Sequence, residues 1–413
     1  MMRVTCKVPE LRFAEFSGEW DEKQLIELSK NGFSNGAFND PKKAGHGYRI
    51  INVKDMYIDG RINISNLLRV ALDEKEFLKN RVEYGDIFFT RSSLVKEGIA
   101  YSNINLNNAN DLTFDGHLIR MRPNKQNYSP LFLYYNFTTL YARKQFIIRG
   151  KTTTMTTIGQ EDIASVKIVL PSKLEQEKIA FFLSSVDSKI EQLSKKKTLL
   201  EQYKKGVMQK IFSQELRFKD DDESEFPEWV EKQLGDFLIL TLRKVPKPTE
   251  NYLAIGIRSH CKGTFQKPDS EPHKIAMEKL FLVKENDLIV SITFAWESAI
   301  AIVKKEDKNG LVSHRFPTYT FDEKIATHEF FKYVIIQKKF RFMLDLISPG
   351  GAGRNRVMSK KDFLTLKWNM PCIKEQTKIA NFLSSLDKKI ALTNKELDAT
   401  KEFKKALLQK MFV

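Results

Sequence analysis

Two stretches of the chain carry apolar residues at alternating steps of four and three, which is the spacing of a coiled-coil helix. In the first stretch the apolar stripe consists of Ile179, Leu183, Val186, Ile190, Leu193, Leu200, Val207 and Ile211. In the second stretch it consists of Ile379, Leu383, Leu386, Ile390, Leu397, Leu407 and Met411. A helix of ~38 residues is roughly 57 Å long, and it cannot bury such a stripe without a partner. The pattern therefore predicts two long helices that each require a packing surface.

The two predicted helices are copies of one sequence. Residues 171–212 and 371–412 share 19 identities over 42 positions without a gap. A shorter leading motif, ELRF followed by EWDEKQL or EWVEKQL, is repeated upstream at residues 10–25 and 215–234. We expect the helices to pair with each other in antiparallel orientation, because their stripes match over many turns. The alternative is that each helix packs only on its own half of the chain.

The helix starts and the joint between the halves carry further signals. Ser172 and Glu175 form a predicted capping box directly after Pro171, whereas Cys372 occupies the cap position of the second copy. The acidic segment KDDDESEFPEW at residues 219–229 is predicted to be a solvated linker between the halves.

The blocks between the leading motifs and the helices differ in sequence but share a mixed pattern. Strands are predicted at residues 56–64, with a hairpin turn at Asp59-Gly60, and at residues 85–90, 164–170 and 286–294. Helices are predicted at residues 129–147 and 327–344. The expected fold is α+β: two mixed α/β domains, at residues 1–170 and 215–370, are joined by helical spacers at residues 171–214 and 371–413. These spacers form an antiparallel coiled coil, with a pseudo-two-fold internal repeat.

The charge of the chain points to a polyanionic partner. The 413 residues contain 68 Lys and Arg against 52 Asp and Glu, a formal net charge of +16. Each helical copy contributes +3, so most of the excess lies in the variable blocks. A membrane is the weaker choice, because no apolar run approaches the ~20 residues that a span requires. The start has no signal peptide, and three scattered cysteines fit a reducing compartment, so we expect a cytoplasmic protein.

Three clusters have side chains suited to contact with a DNA groove. They are Arg91, Ser92 and Ser93; Lys151, Thr152, Thr153 and Thr154; and Arg354, Asn355 and Arg356. The second and third clusters hold equivalent places before the last strand of each block. Arg can bond guanine at two atoms, Asn can bond adenine, and hydroxyl groups can bond either base. We predict that these residues bind DNA; the alternative is that they belong to ordinary flexible loops.

Catalytic motifs are poorly supported. RGKTTT at residues 149–154 contains the Gly-Lys-Thr of a phosphate loop, but Gln145 stands where its first glycine is required. NDPKK at residues 39–43 lacks the second proline and the stacking aromatic of amino-methyltransferases. His260, Cys261 and His273 could hold a metal, but no fourth ligand accompanies them. We expect no catalytic residue, metal or cofactor in this chain. The alternatives are a self-contained DNA methyltransferase or nuclease with unrecognised motifs, and a coiled-coil scaffold without a DNA role.

The arrangement resembles the specificity (S) subunits of type I restriction–modification enzymes. The resemblance rests on two stretches, LPSKLEQEKIAFFLSSVDSKI and MPCIKEQTKIANFLSSLDKKI. In each stretch a proline, a Glu-Gln pair and a Lys-Ile pair lead into a long repeated helix. It is also carried by the order of variable block and shared helix, which occurs twice and covers the whole chain.

The resemblance implies a non-catalytic DNA-binding subunit in which each variable block reads one half of a bipartite, asymmetric target on double-stranded DNA. The two helices would set the gap between the half-sites and dock two modification (methyltransferase) subunits. Those subunits would bring S-adenosylmethionine, and restriction/translocase subunits would bring ATP and Mg. Gln176, Lys178, Gln376 and Lys378 are candidate partner-binding residues, on the expectation that they are exposed. The alternative is that they only cap and solvate the helix starts.

Overall fold

The computed structural model describes residues 7–38, 43–58, 60–350 and 356–413. These residues fall into two compact units, which we call the first unit, with residues up to Lys197 and residues 392–413, and the second unit, with residues 198–391. Each unit therefore contains one variable block, the head of one long helix and the tail of the other. The heads are residues 173–197 and 373–391, and the tails are residues 198–212 and 392–410.

The first unit contains short strands around buried aromatic residues. Its strands are β1 (Asp21–Gln24), β2 (Ser29–Asn35), β3 (Ala44–Ile51), β4 (Leu68–Val70), β5 (Ile87–Thr90), β6 (Ser92–Ser93), β7 (Ser102–Ile104), β8 (Leu112–Phe114), β9 (Leu118–Pro123), β10 (Lys151–Thr152), β11 (Thr156–Thr157) and β12 (Lys167–Leu170). Its helices are α1 (Leu25–Leu28), α2 (Glu74–Asn80), α3 (Pro130–Thr138), α4 (Leu140–Arg149), α5 (Gln160–Ala164) and the head of α6 (Lys173–Phe212).

The second unit repeats this plan. Its strands are β13 (Val230–Gln233), β14 (Leu238–Leu240), β15 (Lys244–Pro246), β16 (Tyr252–Ile257), β17 (Thr264–Ser270), β18 (Lys279–Leu282), β19 (Leu288–Val290), β20 (Ile300–Ile302), β21 (Leu311–Val312), β22 (Thr318–Phe321) and β23 (Lys367–Met370). Its helices are α7 (His328–Val334), α8 (Lys338–Leu346), α9 (Lys360–Thr365) and the head of α10 (Ile373–Lys410).

The two units share a four-stranded sheet of the same strand order, although their other sheets differ in the number of strands. The antiparallel sheet β2-β9-β5-β7 of the first unit has its counterpart in β14-β22-β19-β20 of the second. A second sheet in each unit includes one parallel pair, β3 with β8 and β16 with β21. The leading motif of each unit pairs with the strand before the long helix, as β1 with β12 and β13 with β23. The sequence repeat is therefore also a repeat of structure.

In both units the long helices pair in antiparallel orientation. In the first unit Lys404 Nζ lies 2.7 Å from Asp187 Oδ1, and Lys197 Nζ donates to Asn394 Oδ1 at 2.6 Å. Ten residues forward along α6 therefore match ten residues backward along α10. In the second unit Lys204 pairs with Asp387 in the same sense. The predicted antiparallel coiled coil is confirmed, and each helix head also packs on the block beside it through residues such as Leu183 and Leu383.

The strand predicted at residues 56–64 is wrong. Residues 53–56 form a 3₁₀ turn, closed by a hydrogen bond from Asn52 N to Asp55 Oδ2 at 2.9 Å. The apolar alternation arises because Met56 and Ile62 point into a small core beneath this loop. Asp59, in the predicted hairpin turn, lies outside the described residues. The strands predicted at residues 85–90, 164–170 and 286–294 are confirmed in shorter form as β5, β12 and β19.

Each of the two helices predicted in the blocks is broken into two. Thr139 is extended at φ −67° and ψ 155°, and its hydroxyl accepts from Ala142 N as the cap of α4. Gln337 is extended at φ −68° and ψ 139° between α7 and α8. A threonine side chain can offer the backbone a local hydrogen bond that competes with the helical one, which accounts for the first break.

Candidate functional site

The start of each long helix is held by a buried ion pair with the leading motif. Glu175 accepts from Arg12 Nε at 2.8 Å and from Arg12 Nη2 at 2.7 Å. In the second unit Glu375 accepts from Arg217 at 3.2 and 2.9 Å and from Trp229 Nε1 at 3.1 Å. The carboxylate of Glu375 raises the pKa of the Arg217 guanidinium through these hydrogen bonds. The repeated ELRF motif therefore has a structural role, since its arginine neutralises a carboxylate that folding buries.

The predicted capping box at Ser172 forms only in part. Ser172 Oγ accepts from Glu175 N at 3.4 Å, but the Glu175 carboxylate turns to Arg12 and does not return to the cap. A bidentate pair with a guanidinium is stronger than one bond to a backbone N–H, which explains this choice.

The expectation that Gln176 and Gln376 are exposed is wrong, because 1% and 0% of their surfaces are accessible. Gln176 Oε1 accepts from Ser129 N at 3.0 Å, and Gln176 Nε2 donates to Pro171 O at 2.9 Å. Gln376 repeats both bonds, with Thr327 N at 3.0 Å and Pro371 O at 2.9 Å. Each amide satisfies buried backbone groups at the junction of block and helix, so a partner cannot contact it directly.

Lys178 and Lys378 do lie at the surface of their helix heads. Lys178 forms an ion pair with Glu15, and its ammonium lies 4.7 Å from the centre of the Phe13 ring. Lys378 lies 2.6 Å from Asp221 Oδ1 and donates to Lys219 O at 2.8 Å. Residues 219–225, predicted to be a solvated linker, thus contact the head of α10. Both lysines remain candidates for partner binding.

A polar cluster in each unit joins a block, a helix head and a helix tail. In the first unit Tyr135 of α3 donates to Asp187 Oδ2 at 2.7 Å, and Lys404 of the α10 tail contacts the other carboxylate oxygen. In the second unit Tyr333 of α7 donates to Asp387 Oδ2 at 2.8 Å, and Lys204 of the α6 tail pairs with Asp387. Burial and the neighbouring carboxylate raise the pKa of both tyrosines far above the ordinary value.

Two of the predicted DNA-binding clusters meet in one small sheet of the first unit. Strand β6 (Ser92–Ser93) pairs with β11, and β11 pairs with β10, in which Lys151 and Thr152 lie. The backbone of Arg91 is fixed by bonds from Arg91 N to His117 O at 3.1 Å and from Ile158 N to Arg91 O at 3.0 Å. The residues that were predicted separately therefore form one surface, which we call the β6–β10 edge and define as residues 91–95 and 151–157.

Glycine makes this close pairing possible. A Cβ on Gly150 would lie 2.8 Å from Thr156 Cγ2, which is nearer than side chains allow. Thr156 itself is buried, and its hydroxyl lies 2.9 Å from that of Thr152. This contact joins β10 to β11 through the buried Thr156, while residues 151–155 remain exposed.

The β6–β10 edge is positively charged. Arg91 is exposed, and the described residues include no acidic partner for its guanidinium. Lys151 lies 3.5 Å from Asp162, and 77% of its side chain is exposed, so solvent weakens the pair. Thr153 and Thr154 are exposed at the turn between β10 and β11. Such an edge can offer charge to phosphates and hydroxyl groups to bases.

The equivalent edge of the second unit has different chemistry. Ile292 holds the place of Arg91, because Ile292 N donates to Arg315 O at 2.9 Å and Met358 N donates to Ile292 O at 2.8 Å. Arg315 thereby takes the place of His117, and it is exposed. Arg354 and Asn355 lie outside the described residues.

Arg356 is described, and its guanidinium is engaged by the protein itself. Its Nε donates to Ser348 O at 2.9 Å, its Nη2 donates to Asp345 O at 3.0 Å, and the ring of Trp296 lies 5.3 Å away. These contacts hold Arg356 itself against the end of α8, which disfavours a direct phosphate contact by its guanidinium.

Sequence reasoning missed several exposed residues at these edges. Leu94 is 87% exposed and Val95 is 61% exposed, directly after β6. His117 lies beside the Arg91 backbone, with Nδ1 2.8 Å from Asp115 Oδ1. In the second unit a cleft of about 550 Å³ adjoins the position of Arg315 and is lined by residues that include Phe294 and Phe316. The Asp-Gly pair before His117 indicates a turn in the sequence and could have identified this position. No sequence motif marks the other residues.

The described part of the chain contains no group of three side chains arranged to hold a metal ion. Cys261, one of the three residues considered as ligands, donates its thiol to Ile335 O at 3.2 Å, and burial raises its pKa to about 11. His273 pairs with Glu271 at 3.0 Å. None of the described helices is long and apolar enough to cross a membrane.

The two units share a four-stranded sheet of the same strand order, and each is anchored to a long helix. Because each also has a polar edge of its own composition, they define a duplicated recognition protein. The profile of the family described as type I restriction modification DNA specificity domain matches residues 18–202 and 227–402. The chain belongs to this family and carries its domain twice. It is a DNA-specificity subunit, and the match favours this role over a self-contained methyltransferase or nuclease.

Relatives cover nearly the whole chain. A protein of Methanocaldococcus jannaschii assigned as the specificity subunit of the MjaX type I restriction enzyme is 26% identical over 407 residues, 95% of this chain and 93% of that protein. The S subunit of a type I restriction-modification system from M. genitalium has a similar fold, with a TM-score of 0.60 and 15% identity over 98% of this chain and 99% of that chain. A chain from a structure of type I complex assembly matches with a TM-score of 0.51 and 13% identity, over 95% of this chain and 97% of that chain.

Proposed function

We propose that each unit of this specificity subunit reads one half of a bipartite, asymmetric DNA target. The observation that carries this proposal is the pair of edges built on the same backbone positions with unlike side chains. The first edge offers Arg91, Ser92, Lys151 and Thr153, whereas the second offers Ile292 and Arg315. Two units that place different side chains at equivalent backbone positions fit two half-sites of different sequence.

The first edge has the groups needed for both readout and positioning. Arg91 can bond guanine at two atoms, and the serine and threonine hydroxyl groups can bond either base. Leu94 and Val95 offer apolar contact to a thymine methyl group. Lys151 would neutralise a phosphate, since its contact with Asp162 is largely solvated. The net charge of +16, of which +10 lies outside the two helices, supports wide contact with the DNA backbone.

We further propose that the helices set the gap between the half-sites and dock two modification subunits. The methyltransferase chemistry, with S-adenosylmethionine, would reside in those subunits. ATP and Mg would act in restriction/translocase subunits. In this assignment the chain contributes DNA specificity and carries no catalytic residue of its own.

DNA binding can be tested directly with the purified chain. Because phosphate neutralisation releases counterions, the logarithm of affinity should fall with the logarithm of salt concentration at a slope near −0.9 for each phosphate. A flat salt dependence would contradict the proposed interface. Methylome sequencing of a host with and without the gene would give the target and its gap together, and a continuous rather than split motif would contradict the bipartite assignment.

The helical spacing can be tested by insertion. A heptad added to each helix at matching positions preserves the apolar stripe and lengthens the pair by about 10 Å at 1.5 Å per residue. We expect the methylated motif to keep both half-sites and to change the gap between them. Unchanged spacing would contradict the role of the helices in setting the gap.

A further inference from the structure

The exposed faces of the two helix heads differ sharply, although the helices are copies of each other. The head face of α6 comprises residues 174, 177, 178, 181, 185 and 188, which follow one side of the helix and are all exposed. The head face of α10 comprises the equivalent residues 374, 377, 378, 381, 385 and 388, which are exposed or half-buried. Lys178 and Ser185 recur as Lys378 and Ser385, so a partner that meets both faces would find these positions twice.

The head face of α6 carries an apolar residue at its start and another at its centre. Leu174 is 72% exposed and Phe181 is 76% exposed, one helical heptad apart. The charged residues of this face, Glu177 and Lys178, cancel in formal charge. Two large apolar side chains on one exposed helix face are suited to a protein contact, in which aromatic residues are enriched. A neutral, apolar surface is a poor match for the phosphates of DNA.

The head face of α10 is basic and partly covered. Lys374 and Asn381 replace the two apolar side chains, and Lys388 replaces a serine. The acidic turn of residues 219–225 lies on this face, with Lys374 Nζ 3.3 Å from Asp220 Oδ2 and Lys378 Nζ 2.6 Å from Asp221 Oδ1. The first copy of the leading motif has four fewer residues between its phenylalanine and its tryptophan, so it lacks this acidic insertion.

We propose that the two modification subunits dock unequally: the head face of α6 is the tight site and the head face of α10 is the weak site. This inference rests on the proposed docking of modification subunits by the helices. The repeated lysine and serine positions provide the shared contacts, and Leu174 with Phe181 adds affinity on α6 alone. The specificity subunit therefore loads its first modification subunit on α6, and the complex with a single modification subunit is a distinct intermediate.

The test is a titration of the full-length chain with its modification subunit, without DNA, followed by native mass spectrometry and calorimetry. For the wild type we expect two binding steps whose dissociation constants differ at least tenfold beyond the statistical factor. Phe181→Asn gives α6 the residue found on α10, and it should weaken the tight step roughly tenfold while leaving the weak step unchanged. The reciprocal Asn381→Phe should strengthen the weak step. Ile148→Asn, which removes an equally exposed apolar residue of α4 outside both head faces, is the matched control and should change neither step.

The outcomes that contradict the proposal distinguish a failure of unequal docking from a failure of the proposed function. Equal sites in the wild type, or a tight step that Phe181→Asn leaves unchanged, would overturn the unequal docking and leave the proposed function intact. If no modification subunit binds to the wild type, the docking part of the proposed function itself fails. If the chain alone dimerises and Phe181→Asn abolishes the dimer, the occupant of this face is a second copy of the chain. Circular dichroism of both variants would confirm that these exposed positions do not affect folding.

Discussion

The contact between Asp187 and Lys404 provides a direct test of the helix pairing in the first unit. Asp187 accepts from Tyr135 at 2.7 Å and contacts Lys404 at 2.7 Å, and about a quarter of each charged side chain is exposed. A hydrogen bond to a charged group contributes about 1.5–3 kcal/mol, whereas a solvated ion pair contributes about 0–1 kcal/mol. We therefore expect Asp187→Asn to lower the free energy of unfolding of the first unit by about 2–3 kcal/mol.

Part of this loss of stability comes from the helix–helix contact between Asp187 and Lys404. A double-mutant cycle with Lys404→Met, measured by urea unfolding, gives the size of that part. We expect a coupling of about 1 kcal/mol between Asp187 and Lys404, because partial exposure limits the ion pair. The neighbouring Lys405 pairs with Glu402 of its own helix, at 3.9 Å, so Lys405→Met should be additive with Asp187→Asn. If Asp187 shows no coupling with Lys404, or an equal coupling with Lys405, the described register between α6 and α10 is refuted.

Three further predictions concern the buried amide, the recognition edge and the buried tyrosine. Gln176→Ala should lower the free energy of unfolding by about 2–3 kcal/mol, because it leaves the Ser129 N–H and the Pro171 carbonyl without their hydrogen-bond partner. Lys178→Ala should leave stability nearly unchanged, and equal losses for the two variants in thermal denaturation would contradict this distinction. Arg91→Ala should weaken binding of the cognate site by roughly 1–3 kcal/mol if it reads a base, and an equal loss on random DNA in the same binding assay would identify a phosphate contact instead. Because burial and Asp187 raise the pKa of Tyr135 in the folded state, the unfolded chain loses this proton first above pH ~10, and stability should fall there by about 1.4 kcal/mol per pH unit for this group. Tyr135→Phe should reduce that slope, and an unchanged slope in unfolding at pH 9 to 11 would contradict the assignment.

The sequence predicted the long helices and their partnership because the apolar stripe is a local pattern with a fixed period. It also contained a signal that Gln176 is buried, since this residue lies three and four positions before Ile179 and Ala180 on one helical face. That signal was overridden by the usual association of a polar residue with solvent. The breaks at Thr139 and Gln337 were not predictable from apolar spacing, because spacing continues across a change of backbone direction.

The recognition edge could be predicted only in pieces. Arg91 and Lys151 were identified by residue type, but their meeting depends on the pairing of β6 with β11, more than sixty residues along the chain. Local patterns do not determine such pairings. The pairing of Lys404 with Asp187 across the helices likewise depends on register over more than two hundred residues. Arg315 was missed because its position relative to Ile292 is set by a backbone hydrogen bond and not by any motif.

The chain segments that make up each unit determine the order in which the units can fold during synthesis on the ribosome. The second unit is one continuous segment, so it can close as soon as residues 198–391 have emerged. The first unit cannot, because its core includes Leu407, Met411 and Phe412, with the Phe412 ring 5.1 Å from that of Phe132. The half of the protein that is made first therefore completes its folding last, and until then the part of its core that packs on residues 407–412 stays exposed to water.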